Sequence, residues 1–97
     1  MISAQHEAGT TTLTVDGKFN FGCYQDFHGA IAGVSASQQF VVDLRRATYL
    51  DSAALGMLLL LRDRVGADPS RVVLRVGDGQ PRDVLQLANF AKLFTIA

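Results

Sequence analysis

The chain holds a single cysteine, Cys23. No internal disulfide can staple it, and a reducing cytoplasmic location is expected. Neither sign of charge predominates, because nine Lys and Arg stand against nine Asp and Glu. A bulk electrostatic pull towards nucleic acid or an anionic membrane is therefore missing, and neither partner is expected. No apolar run approaches the ~20 residues of a membrane span, so direct membrane insertion is not expected. The first residues lack the basic-then-apolar order of a secretory signal. His6 and His28 have no metal-ligand neighbours and read as surface or structural histidines. Cys23 has no Cys-x-x-Cys partner and no base that the sequence points to. A phosphate loop of the G-x-x-x-x-G-K-[ST] type is absent, and Gly77-Asp78-Gly79 reads as a turn. Asp43 and Asp51 do not form a convincing acid and base pair. No enzyme activity, cofactor or metal is expected, and there is no internal repeat or low-complexity tract.

What is present is an ordinary globular balance: 97 residues, 48% of them hydrophobic and 19% charged. That is enough for one domain spanning residues 1–97 and too little for two. Residues 2–6 alternate weakly and residues 10–15 are rich in β-branched side chains, with Ala8-Gly9 as the turn of a hairpin. Asp16-Gly17 marks the next turn. A helix is expected over 21–34, with Tyr24, Phe27, Ile31 and Val34 at helical spacing facing the core. Residues 40–44 read as a buried strand, 43–50 as a connection and 53–65 as a second helix, stopped by Gly66-Ala67-Asp68-Pro69. A strand at 71–76, a helix at about 82–88 introduced by Pro81, and a short strand within 93–96 complete the chain. Alternating strands and helices predict an α/β fold.

The organising stretch is 40–64, FVVDLRRATYLDSAALGMLLLLRDR. Asp51-Ser52 stands directly before the long apolar run, where a side-chain oxygen can accept from free amides of a first helical turn. Ser52 therefore reads either as a plain N-cap or as an accessible hydroxyl at the positive end of the helix. At about 100° per residue, Ala54, Leu58, Leu61 and Val65 share one face, the expected core face. Gly56, Leu60 and Asp63 lie opposite, flanked by Met57 and Leu59. An apolar Leu60 there means either a helix buried on several sides or a surface that meets a partner. Arg45-Arg46 reads as a solvated pair, or as a salt-bridging pair for a partner or a phosphate.

Asp43-Leu44 followed by Leu50, Asp51-Ser52-Ala53-Ala54-Leu55 and Leu58-Leu59 resembles the STAS domain of bacterial anti-sigma factor antagonists, whose pattern is roughly D-L-x-x-V-x-x-[IM]-D-S-S-G-L-x-x-L-L. Gly17-Lys18-Phe19-Asn20 resembles the family's G-x-L-D segment, with Asn20 in place of Asp. The segment 84–96 resembles its tail, although members usually continue into a further C-terminal helix that is not expected here. Ala53 and Ala54 depart from the second Ser and the Gly. The resemblance covers about 10–96 and implies a STAS-like fold: a small, mixed, mostly parallel β-sheet with packed α-helices. It implies phosphorylation of Ser52 by an anti-sigma factor serine kinase of the GHKL type, and resetting by a PP2C-type phosphatase. It places partner contacts about Asn20, Tyr49, Asp51, Ser52, Ala53, Gly56, Met57, Leu60 and Asp63. Two other roles of the family stay open: a permanent subunit of a bacterial ABC lipid-transport complex, and a partner in a response-regulator pathway.

Overall fold

The computed structural model describes residues 1–32 and 39–97. Its strands are β1 (Ile2–Glu7), β2 (Thr10–Val15), β3 (Gly17–Phe19), β4 (Gln39–Asp43), β5 (Ala47–Leu50), β6 (Val72–Arg75) and β7 (Thr95–Ile96). Its helices are α1 (Tyr24–Ala32), α2 (Ser52–Arg64) and α3 (Gln80–Leu87). Five strands form one sheet in the order β1-β2-β4-β6-β7, antiparallel only between β1 and β2. The expected mixed, mostly parallel α/β architecture is the one observed.

The hairpin closes as the sequence predicts. Ala8 and Gly9 have φ of 50° and 81°, the left-handed pair that a two-residue turn needs to match the twist of its strands. Along β2 the odd residues Thr11, Leu13 and Val15 are buried and the even ones half-buried. Parallel register carries that face across the sheet. Leu13 pairs with Val42 and Val42 with Leu74, and all three are fully buried. Against this face sit Phe27 and Ile31 of α1, Ala54, Leu58 and Leu61 of α2, and Leu85 of α3. Each of these Phe, Ile and Leu side chains contributes roughly 1.5–3 kcal/mol on leaving water.

Two expectations are corrected. The segment 43–50 is not all connection, because its second half is β5, paired in parallel with β3 in a separate two-stranded sheet. Strands of three and four residues are too short to show a period, and their pairing joins segments about thirty residues apart in the chain. The helix expected from residue 21 begins instead as a 3₁₀ turn, Phe21–Cys23, and becomes α-helical at Tyr24. A tighter first turn shifts the phase of the residues after it. Phe27 and Ile31 reach the core, but Tyr24 is 37% exposed. Val34 and residues 35–38 lie outside the described residues.

The second helix ends as its sequence requires. Gly66 at φ 82° comes just after the last residues of α2; its amide donates to the Asp63 carbonyl and that of Ala67 to the Arg62 carbonyl. This is the Schellman arrangement, and it favours glycine because a Cβ at that φ is strained.

Candidate functional site at the start of the second helix

The parallel pair β3–β5 builds the site. Its last register pair is Phe19 with Leu50, both fully buried. Asn20 and Asp51 therefore leave the two strands as neighbours, and each caps the helical turn after it. Asn20 Oδ1 accepts from the Gly22 amide at 2.9 Å, and Asp51 Oδ1 accepts from the Ala54 amide at 2.9 Å. Extended backbone at both residues (φ −136° and −118°) is the usual N-cap conformation. Phe21 and Ser52, the residues just past the caps, are both exposed.

This resolves the two readings of Ser52. Asp51 is the cap, and Ser52 is the first residue of α2. Its hydroxyl is exposed and makes no hydrogen bond with the described residues. With the Ala54 amide engaged by Asp51, the amides of Ser52 and Ala53 stay available at the positive end of the helix. An anion held there is favoured by both groups.

A side-chain clamp sets the position of this corner. Gln80, the first residue of α3, accepts from the Leu50 amide through Oε1 and donates to the Leu50 carbonyl through Nε2, both at 2.8 Å. The amide takes the place of a third strand at the free edge of β5, one residue before Asp51. At the end of β4, Asp43 receives Arg45 through Nε at 2.9 Å and Nη2 at 2.7 Å. Those bonds hold the Asp43 carboxyl below the usual carboxylate range. Arg45 is thus engaged within its own loop. Arg46 is exposed, and its carbonyl accepts from the Gly17 amide at 3.1 Å.

The structure leaves most of the anticipated contact residues accessible, and Gly56, Leu60 and Asp63 share one side of α2. Tyr49 is exposed on β5, Ala53 is half-buried, and Gly56, Leu60 and Asp63 are exposed along α2. A Cβ on Gly56 would meet nothing within 4 Å. Leu60 is 44% exposed, which favours the open-surface reading of that face. Met57 is the correction: it is 2% exposed and belongs to the core. It lies one turn from Ala54 and Leu61, and the core-facing arc of α2 is wide enough to include it. It cannot present a side chain to a partner from there.

The sequence reading missed an aromatic stripe beside this face. Phe21, 71% exposed, stacks on Tyr24 with centroids 5.9 Å apart, and Tyr24 stacks on His28 at 5.8 Å. Tyr24 and His28 then line a cleft of about 340 Å³ with Ile31, Leu60, Asp63 and Arg64, between α1 and α2. An available signal was Phe21 itself, an aromatic residue directly after the Asn20 cap and out of phase with Phe27 and Ile31. Among the described residues there is no group of three or more potential metal ligands. None of the described helices is long and apolar enough to cross a membrane.

The sequence pattern of the family described as Mlab, STAS domain, matches residues 2–95. The chain belongs to the STAS domain family. A STAS-domain containing protein of Pseudomonas aeruginosa strain UCBPP-PA14 is 46% identical over 87 residues, which span 89% of this chain and 86% of that protein. An anti-sigma factor antagonist from Mycobacterium paratuberculosis superposes with a TM-score of 0.85 at 20% identity, covering 99% of this STAS domain and 83% of that chain. The anti-sigma factor antagonist SpoIIAA in its unphosphorylated form superposes at 0.73 with 15% identity, covering 100% and 87%. At such identities the structural likeness establishes the fold.

Proposed function

We propose that this STAS domain is an anti-sigma factor antagonist switched by phosphorylation of Ser52. Unphosphorylated, it binds an anti-sigma factor serine kinase of the GHKL type through the surface around Ser52, and the sigma factor held by that kinase is released. The kinase transfers the γ-phosphoryl group of Mg-ATP to Ser52 Oγ. The new O–P bond replaces the bond to the ADP oxygen, and the hydroxyl proton passes to a base of the kinase. A PP2C-type phosphatase hydrolyses the ester and resets the domain.

The observation that carries this reading is the division of labour between Asp51 and Ser52. Asp51 caps α2, so the Ser52 hydroxyl can be modified without dismantling the helix. A phosphate adds roughly −1.5 to −2 charges. At this helix end the charge is tolerated by the fold. Its effect falls on a partner lying over Ser52, through bulk, desolvation and repulsion from nearby acids, of which Asp51 is the nearest. The likeness to SpoIIAA, described in both its unphosphorylated and phosphorylated forms, supports the same reading.

A second reading, a permanently bound subunit of a transport complex, is favoured by the apolar surface of Phe21, Leu59 and Leu60, since exposed apolar patches mark interaction sites. Intact mass and peptide mapping of the protein from its own host separate the two. A phosphate on Ser52, with loss of kinase binding by a folded Ser52→Glu protein, is the expected result. Ser52 unmodified under all growth conditions, or full-strength kinase binding by Ser52→Glu, overturns the switch.

A further inference from the structure

A second cleft, of about 390 Å³, lies away from Ser52, between α3, the 3₁₀ turn at Phe90–Lys92 and the end of the sheet. Its size is within the range of small-molecule sites, ~300–1,000 Å³. Val76, Leu85, Ala91 and Ile96 give it apolar walls, and Arg82, Gln86, Asn89 and Lys92 add polar groups.

The two cations are of different kinds. Arg82 is pinned: Nε donates to the Gly77 carbonyl at 3.1 Å and Nη2 to the Val76 carbonyl at 2.8 Å. Asp78 is its acidic neighbour, at 4.0 Å and fully exposed. Nη1 has no partner among the described residues, so the guanidinium presents an unused, pre-oriented edge. Holding it by main-chain carbonyls lowers the entropy lost on binding an oxyanion. Lys92 is exposed and forms no ion pair with the described residues. Asn89, at φ 58°, comes after α3 with its side chain making no capping bond.

We propose that this cleft binds a small amphipathic organic anion, with its oxyanion head on Arg82 and its apolar body against Val76, Leu85 and Ile96. Arg82 lies in the first turn of α3, whose positive end also favours an anionic head. The site is separate from Ser52, and its test is indifferent to the phosphorylation reading.

The test is titration of the ¹⁵N-labelled full chain with octanoate, below its micelle concentration, followed by amide shifts. Saturable shifts at Val76, Leu85, Gln86, Asn89 and Ile96 are expected. Arg82→Gln should weaken binding about tenfold, since charge-assisted bonds are the strong ones. Because Arg82 also holds two carbonyls, Lys92→Glu, on an exposed side chain, serves as a second variant and should weaken binding severalfold. Ala91→Phe, which fills the cleft from an exposed position, should abolish it. The proposal is overturned if the shifts do not saturate, if uncharged 1-octanol binds as tightly as octanoate, or if Ala91→Phe and Lys92→Glu both bind like the wild type.

Discussion

At the scale of single residues, the adjacent pair Asp51 and Ser52 divides capping from display. Only one of them can be the cap, and the 2.9 Å bond from the Ala54 amide assigns it to Asp51. Asp51→Ala should cost about 1 kcal/mol of stability, the usual worth of an N-cap, whereas Ser52→Ala should stay within about 0.5 kcal/mol. Urea denaturation of the two variants side by side checks this, and the reverse order would mean that Ser52 is the cap. Asp43 supports a prediction about acid. Its carboxyl is held low in the folded chain, first by the side-chain bonds from Arg45. A depressed folded value means that the unfolded chain takes up the proton first. The contribution of Asp43 is complete above the unfolded carboxylate value of about 3.9 and is lost as pH falls through the lower folded value. The expected outcome is that Asp43→Asn flattens the fall of stability below about pH 4, read from denaturation midpoints across that range. Sequence allowed Arg45 to be either solvated or available to a partner; only its geometry shows the fork closed on Asp43.

At the scale of elements, the helices were more legible than the small ribbon that positions the site. The apolar spacing of Ala54, Leu58, Leu61 and Val65 comes from a period that any isolated helix would show, and all four are buried. Met57 and Tyr24 depart from the expected faces for local reasons, the width of a buried arc and the phase shift of a 3₁₀ turn. The β3–β5 ribbon had no comparable signature, and neither did the Gln80 side chain that completes its edge. Gln80→Ala would leave the amide and carbonyl of Leu50 without those partners in a part-buried setting. A loss of about 1–3 kcal/mol is expected, the cost of stranding such groups. Hydrogen exchange should show faster opening at Leu50 and the first turn of α2 than at β2 or β4. Uniform change across the chain would show that the clamp is not local.

At the scale of the whole molecule, the fold separates a sealed half from a presenting half. One face of the five-stranded sheet is closed by Phe27, Leu58, Leu61 and Leu85. The outward sides of α1 and α2, with the turn before α1, carry Phe21, Tyr24, His28 and Leu60, which the core does not need. Leu60→Glu should therefore leave stability within about 0.5 kcal/mol. Under the proposed function it should weaken kinase binding at least about tenfold, as loss of an apolar anchor does. Urea denaturation together with calorimetric titration of the kinase distinguishes that result from general damage. A large stability loss would instead place Leu60 in the core, and unchanged binding would take the α1–α2 cleft out of the interface.

Pattern along the chain was enough for the α/β class, the hairpin at Ala8-Gly9, the stop of α2 at Gly66 and the core face of that helix. Each of these rests on local conformational preference or on a repeat within one segment. The same pattern placed Asp51-Ser52 at a helix start but left open which of them was the cap. Folding in three dimensions assigned the cap to Asp51. It alone joined β3 to β5, set Asn20 beside Asp51, pinned Leu50 with Gln80 and stacked Phe21, Tyr24 and His28 into an exposed stripe. These are pairings between segments distant in the chain, or small phase shifts within one. The energies of the distant pairings arise only once the chain has closed around its core, so no pattern along the sequence records them; the stripe is local, and Phe21, out of phase with Phe27 and Ile31, is its trace in the sequence.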